Sequence, residues 1–400
     1  MRNHKTCLAL IAAVFAASRI IYWRIGVRFD IVPLTFYQQY IDPALLKHDL
    51  WRSIFYLEQQ PPTFNAYLGA ILHLAPNRPG AAFHFSFLCV GLGLSISLFV
   101  LMERLGVNRL VALSIALVFT LSPSTVLYEN LLFYEYPLTA LLCIAALFLH
   151  RYSTERRFFD GLVFFGLLAL IASIRVIYHL VWFGAMAALV GLALPKWRKQ
   201  STLAAAIPAI FLVTYYAKHF VLFHKLVPGG AIYQGINMSI TTSNRLPPGA
   251  LDPLIKTGKI SPVLTMKMAG IIEGIGSKDP ENTLLASIVP LPPKTGVPVL
   301  DECLKSNGKP NVNCRWFSKV AKLLMKDSLV VLRFYPKTYL ASVGIFISIS
   351  CPILIIGPSM DEAAIYPSSY PDGWDFTICS SPAGGLRQPG INGANRGSSF

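Results

Sequence analysis

The run AFHFSFLCVGLGLSISLFVLM, residues 82–102, decides the class of this protein. It carries no Asp, Glu, Lys or Arg, and it has the length, about 17 to 25 residues, that a helix needs to cross a hydrocarbon core. The next residues, ERLGVNR at 103–109, bring Arg104 and Arg109. An apolar run closed by a basic block is the signature of a membrane helix ending on the cytoplasmic side.

The pattern repeats along the chain. Apolar runs at 134–150, 158–174, 179–195 and 202–222 are each of spanning length. Hydrophobic residues make up 54% of the 400, charged residues only 14%, and mean hydropathy is +0.52. A soluble domain carries roughly a quarter charged residues, so this composition points to the bilayer. The net charge of +15 does not point to nucleic acid. Its cations sit in short blocks beside apolar runs: Arg2 and Lys5; Arg104 and Arg109; Arg151, Arg156 and Arg157; Lys196, Arg198 and Lys199. That is the positive-inside pattern.

The N-terminus has a basic start followed by CLALIAAVFAAS, like a secretory signal. The run continues through Arg19 into RIIYW with no small-residue cleavage site, so it reads as an uncleaved first span. With basic blocks in the cytoplasm, spans fall at 7–23, 82–102, 110–127, 134–150, 158–177, 179–195 and 202–222. Residues 1–222 form a transmembrane core with an external loop at 24–81, and 223–337 form an extracytoplasmic region. The run 338–357 either spans or lies along the surface. Residues 358–400, rich in Gly, Ser and Pro, read as a disordered or truncated tail. The expected fold is an all-α polytopic membrane protein of about eight transmembrane helices, with a range of seven to nine. The N-terminus is expected in the cytoplasm.

Four constellations fall on the outer side. The first is the acid set of loop 24–81: Asp30, Asp42, Asp49 and Glu58. Asp42 and Asp49 read equally well as plain solvated loop residues. Asp30 lies between Phe29 and Ile31, and burial in such surroundings would raise a carboxyl toward the working range of a general base. The second is QQPPTFN, 59–65. Pro61 and Pro62 push the residues before them into extended backbone, so a short interfacial helix over 63–75 follows an elbow carrying Glu58, Gln59 and Gln60. The third is LSPSTVLYENLLFYEYP, 121–137, with Tyr128, Glu129 and Glu135 and no Lys or Arg. Each tyrosine alone reads as aromatic belt, but two acids in a short apolar loop suggest function. The fourth is Arg175, with Tyr178 and His179 beside it. Its charge needs a partner: an external phosphate, Glu129, Glu135, or the headgroups reached by snorkelling.

Cys303 and Cys314 lie in DECLKSNGKPNVNCRW, in the extracytoplasmic region. Outside the cytoplasm they are a candidate disulfide, with two free thiols the equal alternative. The sequence shows no CxxC pattern and no His/Cys cluster of ligand spacing. Paired acids leave room for a divalent metal, but no spacing requires one.

The order of these features, with QPPTFN at Gln60–Asn65, resembles the GT-C superfamily of integral membrane glycosyltransferases. The likeness is nearest to the bacterial group of protein mannosyltransferases and aminoarabinose transferases. FDIVPLTFYQQYIDPALLKHDLWRSIFYLEQQPP, 29–62, looks like the signature of one uncharacterised bacterial branch. The resemblance covers residues 1–222 and, more loosely, the stretch to 340. It departs from the family where Ile31 follows Asp30 in place of a second acid, and where Gln60 precedes the prolines in place of His or Lys. It implies transfer of a sugar from a polyprenyl-phosphate carrier to an envelope acceptor, on the outer face of a bacterial inner membrane. It implies Asp30 as the base and Arg175, with Gln60, Tyr178 and His179, near the carrier phosphate. Tyr128, Glu129, Glu135 and Glu58 would orient sugar or acceptor. Two other readings stay open: a transporter of lipid-linked sugars or small solutes, and a non-catalytic or truncated membrane protein.

Overall fold

The computed structural model describes residues 3–225, 230–243, 246–266, 268–277 and 279–342. The expectations for 358–400, and for most of 338–357, lie outside these residues.

The described chain is helical, with two isolated β-bridges and no β-strand among the described residues. Helix α1 is His4–Arg24, opened by the Asn3 side chain, which accepts from the Lys5 N–H. After the first loop come α2 (Pro62–Leu74) and α3 (Pro79–Arg104), both with proline in the first turn, where its missing N–H costs nothing. Then follow α4 (Arg109–Leu121), α5 (Pro123–Glu129), α6 (Glu135–Glu155), α7 (Phe158–Ala172), α8 (Leu180–Ala193) and α9 (Arg198–Phe223). Helices α10 (Gly230–Ser243) and α11 (Arg315–Phe334) build the later region.

By length and composition, three helices among the described residues are long and apolar enough to cross a membrane: His4–Arg24, Pro79–Arg104 and Pro195–Phe223. The pair α4 and α5 makes a fourth if read as one broken span. Helices α7 and α8 are apolar but shorter. The unbroken span expected over 110–127 is therefore corrected. The chain bends by 57° between α4 and α5, because Pro123 cannot donate to the preceding turn and holds Ser122 extended. The helix expected over 158–177 also ends early, at Ala172. Turns fill 173–179 before His179 caps α8.

The helices share two ends. At one end the basic blocks are tied together. His4 pairs with Glu103 at 2.7 Å, Arg104 with Glu155 at 2.8 Å and Arg151 with Asp160 at 2.9 Å. Gln200 donates to the Arg156 carbonyl at 3.0 Å. At the other end lie the first loop, the α7–α8 turn and the later region. Short helices Pro43–His48 and Leu50–Phe55 pack on α2, burying Leu46, Leu57, Phe64 and Leu68.

The later region has its own core along α11, which is apolar on one face. Trp316, Val320, Leu324 and Val331 pack against Leu254, Val263 and Leu285. Helix α10 lies so close to α11 that a Cβ on Gly235 would sit 2.0 Å from the Ala321 carbonyl oxygen. Cys303 and Cys314 are joined in a disulfide, and the loop they close docks on the first loop. Lys305 donates to the Tyr37 carbonyl at 2.7 Å, and Ser306 donates to Asp42 through its N–H at 2.6 Å and its hydroxyl at 2.8 Å. Asp42, expected as an open alternative to be solvated, is thus a buried anchor.

Candidate functional site

The elbow is built from the inside. Leu57, Glu58, Gln59, Gln60 and Pro61 are all buried. Pro61 is extended and α2 starts at Pro62. Three parts of the protein meet on this strip. Glu58 is ion-paired with Lys225, just past α9. Gln59 donates to the Ser318 hydroxyl of α11 at 2.9 Å. Thr63 donates its N–H to the Ser173 carbonyl at 3.1 Å and its hydroxyl to the Ser173 hydroxyl at 2.7 Å. Glu58 and Gln59 are thus engaged in a joint between the elbow, Lys225 and α11. Two buried polar atoms there, Gln59 Oε1 and Gln60 Nε2, have no protein partner.

A cavity opens on each side of the elbow. One, of 440 Å³, is an apolar groove between α2, α3, α6 and α7, lined by Phe64, Tyr67, Phe87, Val90, Leu141 and Ile174. Thr63, Tyr67 and Ser86 are the hydroxyl-bearing residues of its lining. The other, of 620 Å³, lies between the elbow, the end of α9 and α11, and its walls include Glu58, His224, Arg315, Lys319 and Lys322. Five steps of chain, from Glu58 to Thr63, connect the two, a reach of about 18 Å at most.

Two of the expected residues, Asp30 and Arg175, are chain neighbours of residues that touch or line the groove, and neither lines it itself. Asp30 forms a bridge with Leu131: its N–H donates to the Asn130 carbonyl at 2.6 Å and its carbonyl accepts from Leu132 at 3.0 Å. Its neighbour Phe29 meets Phe87, a groove residue, with ring centroids 5.4 Å apart. Arg175 pairs with Glu135 and lies 5.1 Å from the Tyr134 ring centre. Its neighbour Ile174 lines the groove. The short stretch 131–135 therefore holds Asp30 at one end and Arg175 at the other. The apolar surroundings expected for Asp30 are corrected, because the residue is exposed. Its carboxylate caps the turn after it, accepting from the Val32 N–H at 2.8 Å.

Other expected residues take different places. Glu129, expected to face the outer cavity, is fully buried. Arg19 grips it with two hydrogen bonds of 2.8 Å, and Tyr136 donates a third at 2.9 Å. Gly91 makes room for this, since a Cβ there would lie 2.1 Å from Glu129 Oε2. The bend at Ser122 and Pro123 is what carries Glu129 inward. Tyr128 stays exposed and lines a further cavity of 430 Å³ with Glu135. His179 accepts from the Val181 N–H through Nδ1 at 3.2 Å, a helix cap. Tyr178 packs edge-on against Trp182.

Sequence reasoning missed Arg19 as a partner, although it is the one charge inside the apolar run 7–23 and such a residue calls for a named counter-charge. It also missed Lys225, Arg315, Lys319 and Lys322, which no motif flags because they converge only in three dimensions. Among the described residues, no group of three or more His, Cys, Asp or Glu could hold a metal ion.

Comparison of the chain with described protein families, with curated proteins and with solved structures returned no match.

Proposed function

We propose that this protein is a polytopic membrane glycosyltransferase of about eight spans that uses a polyprenyl-phosphate-linked sugar on the outer face of the membrane. One observation carries the reading. An apolar groove of 440 Å³ is lined by Ile174, next in the chain to Arg175, and by Phe87, which packs on Phe29, next to Asp30, while the stretch 131–135 contacts Asp30 through Leu131 and Arg175 through Glu135. A lipid-phosphate donor needs that combination: an apolar channel for its tail, a cation for its phosphate and an accessible base for the acceptor.

On this reading the isoprenoid lies along Phe64, Phe87, Val90 and Ile174. Arg175 leaves Glu135 as the phosphate arrives, and its hydrogen bonds strengthen as charge builds on the departing lipid phosphate. Asp30 takes the proton from an acceptor hydroxyl or amine. The freed nucleophile attacks the anomeric carbon opposite the lipid phosphate, and the bond from that carbon to the phosphate oxygen breaks with inversion. An exposed base suits this role, because the acceptor must reach it. The cytoplasmic placement of the basic end and the inner-membrane location belong to the same proposal.

The first test is native mass spectrometry of the protein in mild detergent. Co-purified polyprenyl phosphate, lost on Arg175→Ala, is the expected result. An Asp30→Asn variant should bind the lipid normally and lose on the order of 10² to 10⁴ in transfer rate. Unchanged transfer by that variant would remove Asp30 from the role.

A further inference from the structure

The second cavity is charged in a way the donor site does not explain. Arg315, Lys319 and Lys322 stand on the N-terminal half of α11 at spacings of four and three, so they share one face and line the 620 Å³ space. Glu58 is its one acidic lining residue, and Lys225 already neutralises it. The cations are held by carbonyls: Arg315 donates to Pro293 at 3.3 Å and Lys319 to Pro290 at 2.8 Å. Carbonyls orient a cation but leave its charge uncompensated. Desolvation first, then repulsion from Lys225, hold Lys322 below the ordinary lysine range. The positive end of the α11 dipole adds to the same field.

We infer that this cavity is a binding site for a phosphate-bearing ligand, separate from Arg175 and from the apolar groove. On the proposal above, that ligand is the acceptor. Three cations in a cavity of this volume match a phosphorylated saccharide or a lipid headgroup of similar size. The elbow gives the site its partner. Ser318, on the same α11 face, takes hydrogen bonds from Gln59 and Lys225, so a ligand that pulls on Lys319 or Lys322 also loads the strip leading to Thr63 and the groove.

The test uses the full chain in detergent and inorganic pyrophosphate as the probe. Pyrophosphate should raise the unfolding temperature saturably. The double variant Lys319→Gln/Lys322→Gln changes only exposed side chains, and it should weaken binding by about 100-fold, since each charge-assisted hydrogen bond contributes about 1.5–3 kcal/mol. Lys256→Gln, an exposed lysine on a different helix, should change nothing. No saturable shift, or an equal loss in Lys256→Gln, overturns the site. Repeating the titration in nanodiscs names the natural source. Competition by phosphatidylglycerol, absent with phosphatidylcholine, identifies a lipid headgroup, and undiminished binding in both identifies a soluble phosphate. No sugar donor is present, so failure of the donor proposal and failure of this site read out separately. If transfer is measured, the double variant should raise the acceptor KM and leave the donor KM alone.

Discussion

Arg19→Met removes a buried ion pair inside the helix bundle. In the native protein the guanidinium donates to Glu129 Oε1 and Oε2 at 2.8 Å each, to the Ser18 hydroxyl at 2.9 Å and to the Thr120 carbonyl at 2.7 Å. Side-chain exposure is 9% for Arg19 and zero for Glu129. Without Arg19, the carboxylate keeps one donor, Tyr136. Breaking a buried pair from one side costs about 3–5 kcal/mol, because the survivor is left charged and unpaired. Replacing both partners with apolar residues of similar volume is often neutral or stabilising. Arg19→Met and Glu129→Met should therefore each lower the unfolding free energy by about 3–5 kcal/mol, and the double variant should recover most of it. The assay is an SDS titration of the protein in mild detergent, followed by intrinsic fluorescence, with the three variants forming a cycle. Single losses below about 1 kcal/mol, or a double variant as weak as the sum of the singles, would refute the claim that these two charges depend on each other.

Gly91→Ala should disturb the same network from a third side. The new Cβ would overlap Glu129 Oε2, and overpacking of this kind costs about 1–3 kcal/mol; the same titration reads it. Cys303→Ser/Cys314→Ser opens a loop of sequence separation 11, so stability should fall by about 2–4 kcal/mol. Limited proteolysis should then cut first between 303 and 314. Burial holds Lys305 down at about 8, below its unfolded value of about 10.4. Between those values the unfolded chain binds more protons, so stability should rise with pH across this window and be lost again as pH falls through 8. The rise should reach about 3 kcal/mol, measured as the difference between wild type and Lys305→Met. A parallel pH dependence in both proteins would exclude Lys305 as the source.

The residues explain how far the sequence could be read. The helices at 82–102, 134–150 and 202–222 were legible because each is a long apolar run bounded by charge, and that pattern needs no partner. The helix after Pro-Pro was legible for a local reason too, since proline restricts its own backbone and that of the residue before it. The broken span at Ser122–Pro123 needed only closer attention to the same rule. Glu129 was different. Its sequence neighbours suggest an outer loop, and only the 57° bend and the space left by Gly91 bring it to Arg19. The exposure of Asp30 likewise follows from its bridge to Leu131, a hundred residues away.

By itself, the sequence determined that this chain is helical, that it carries apolar runs long enough to cross a membrane, and that a helix follows the Pro61–Pro62 pair. These follow from local hydrophobicity, chain length and backbone sterics, which act over a few residues. The tertiary structure alone decided which charges are partners, that the disulfide loop anchors on Asp42, and that an apolar groove and a basic cavity flank the same elbow. Those outcomes depend on pairs separated by as many as 272 residues, such as Thr35 with Asn307. Which distant side chains meet is set by how the helices pack, and no local pattern along the chain encodes that meeting.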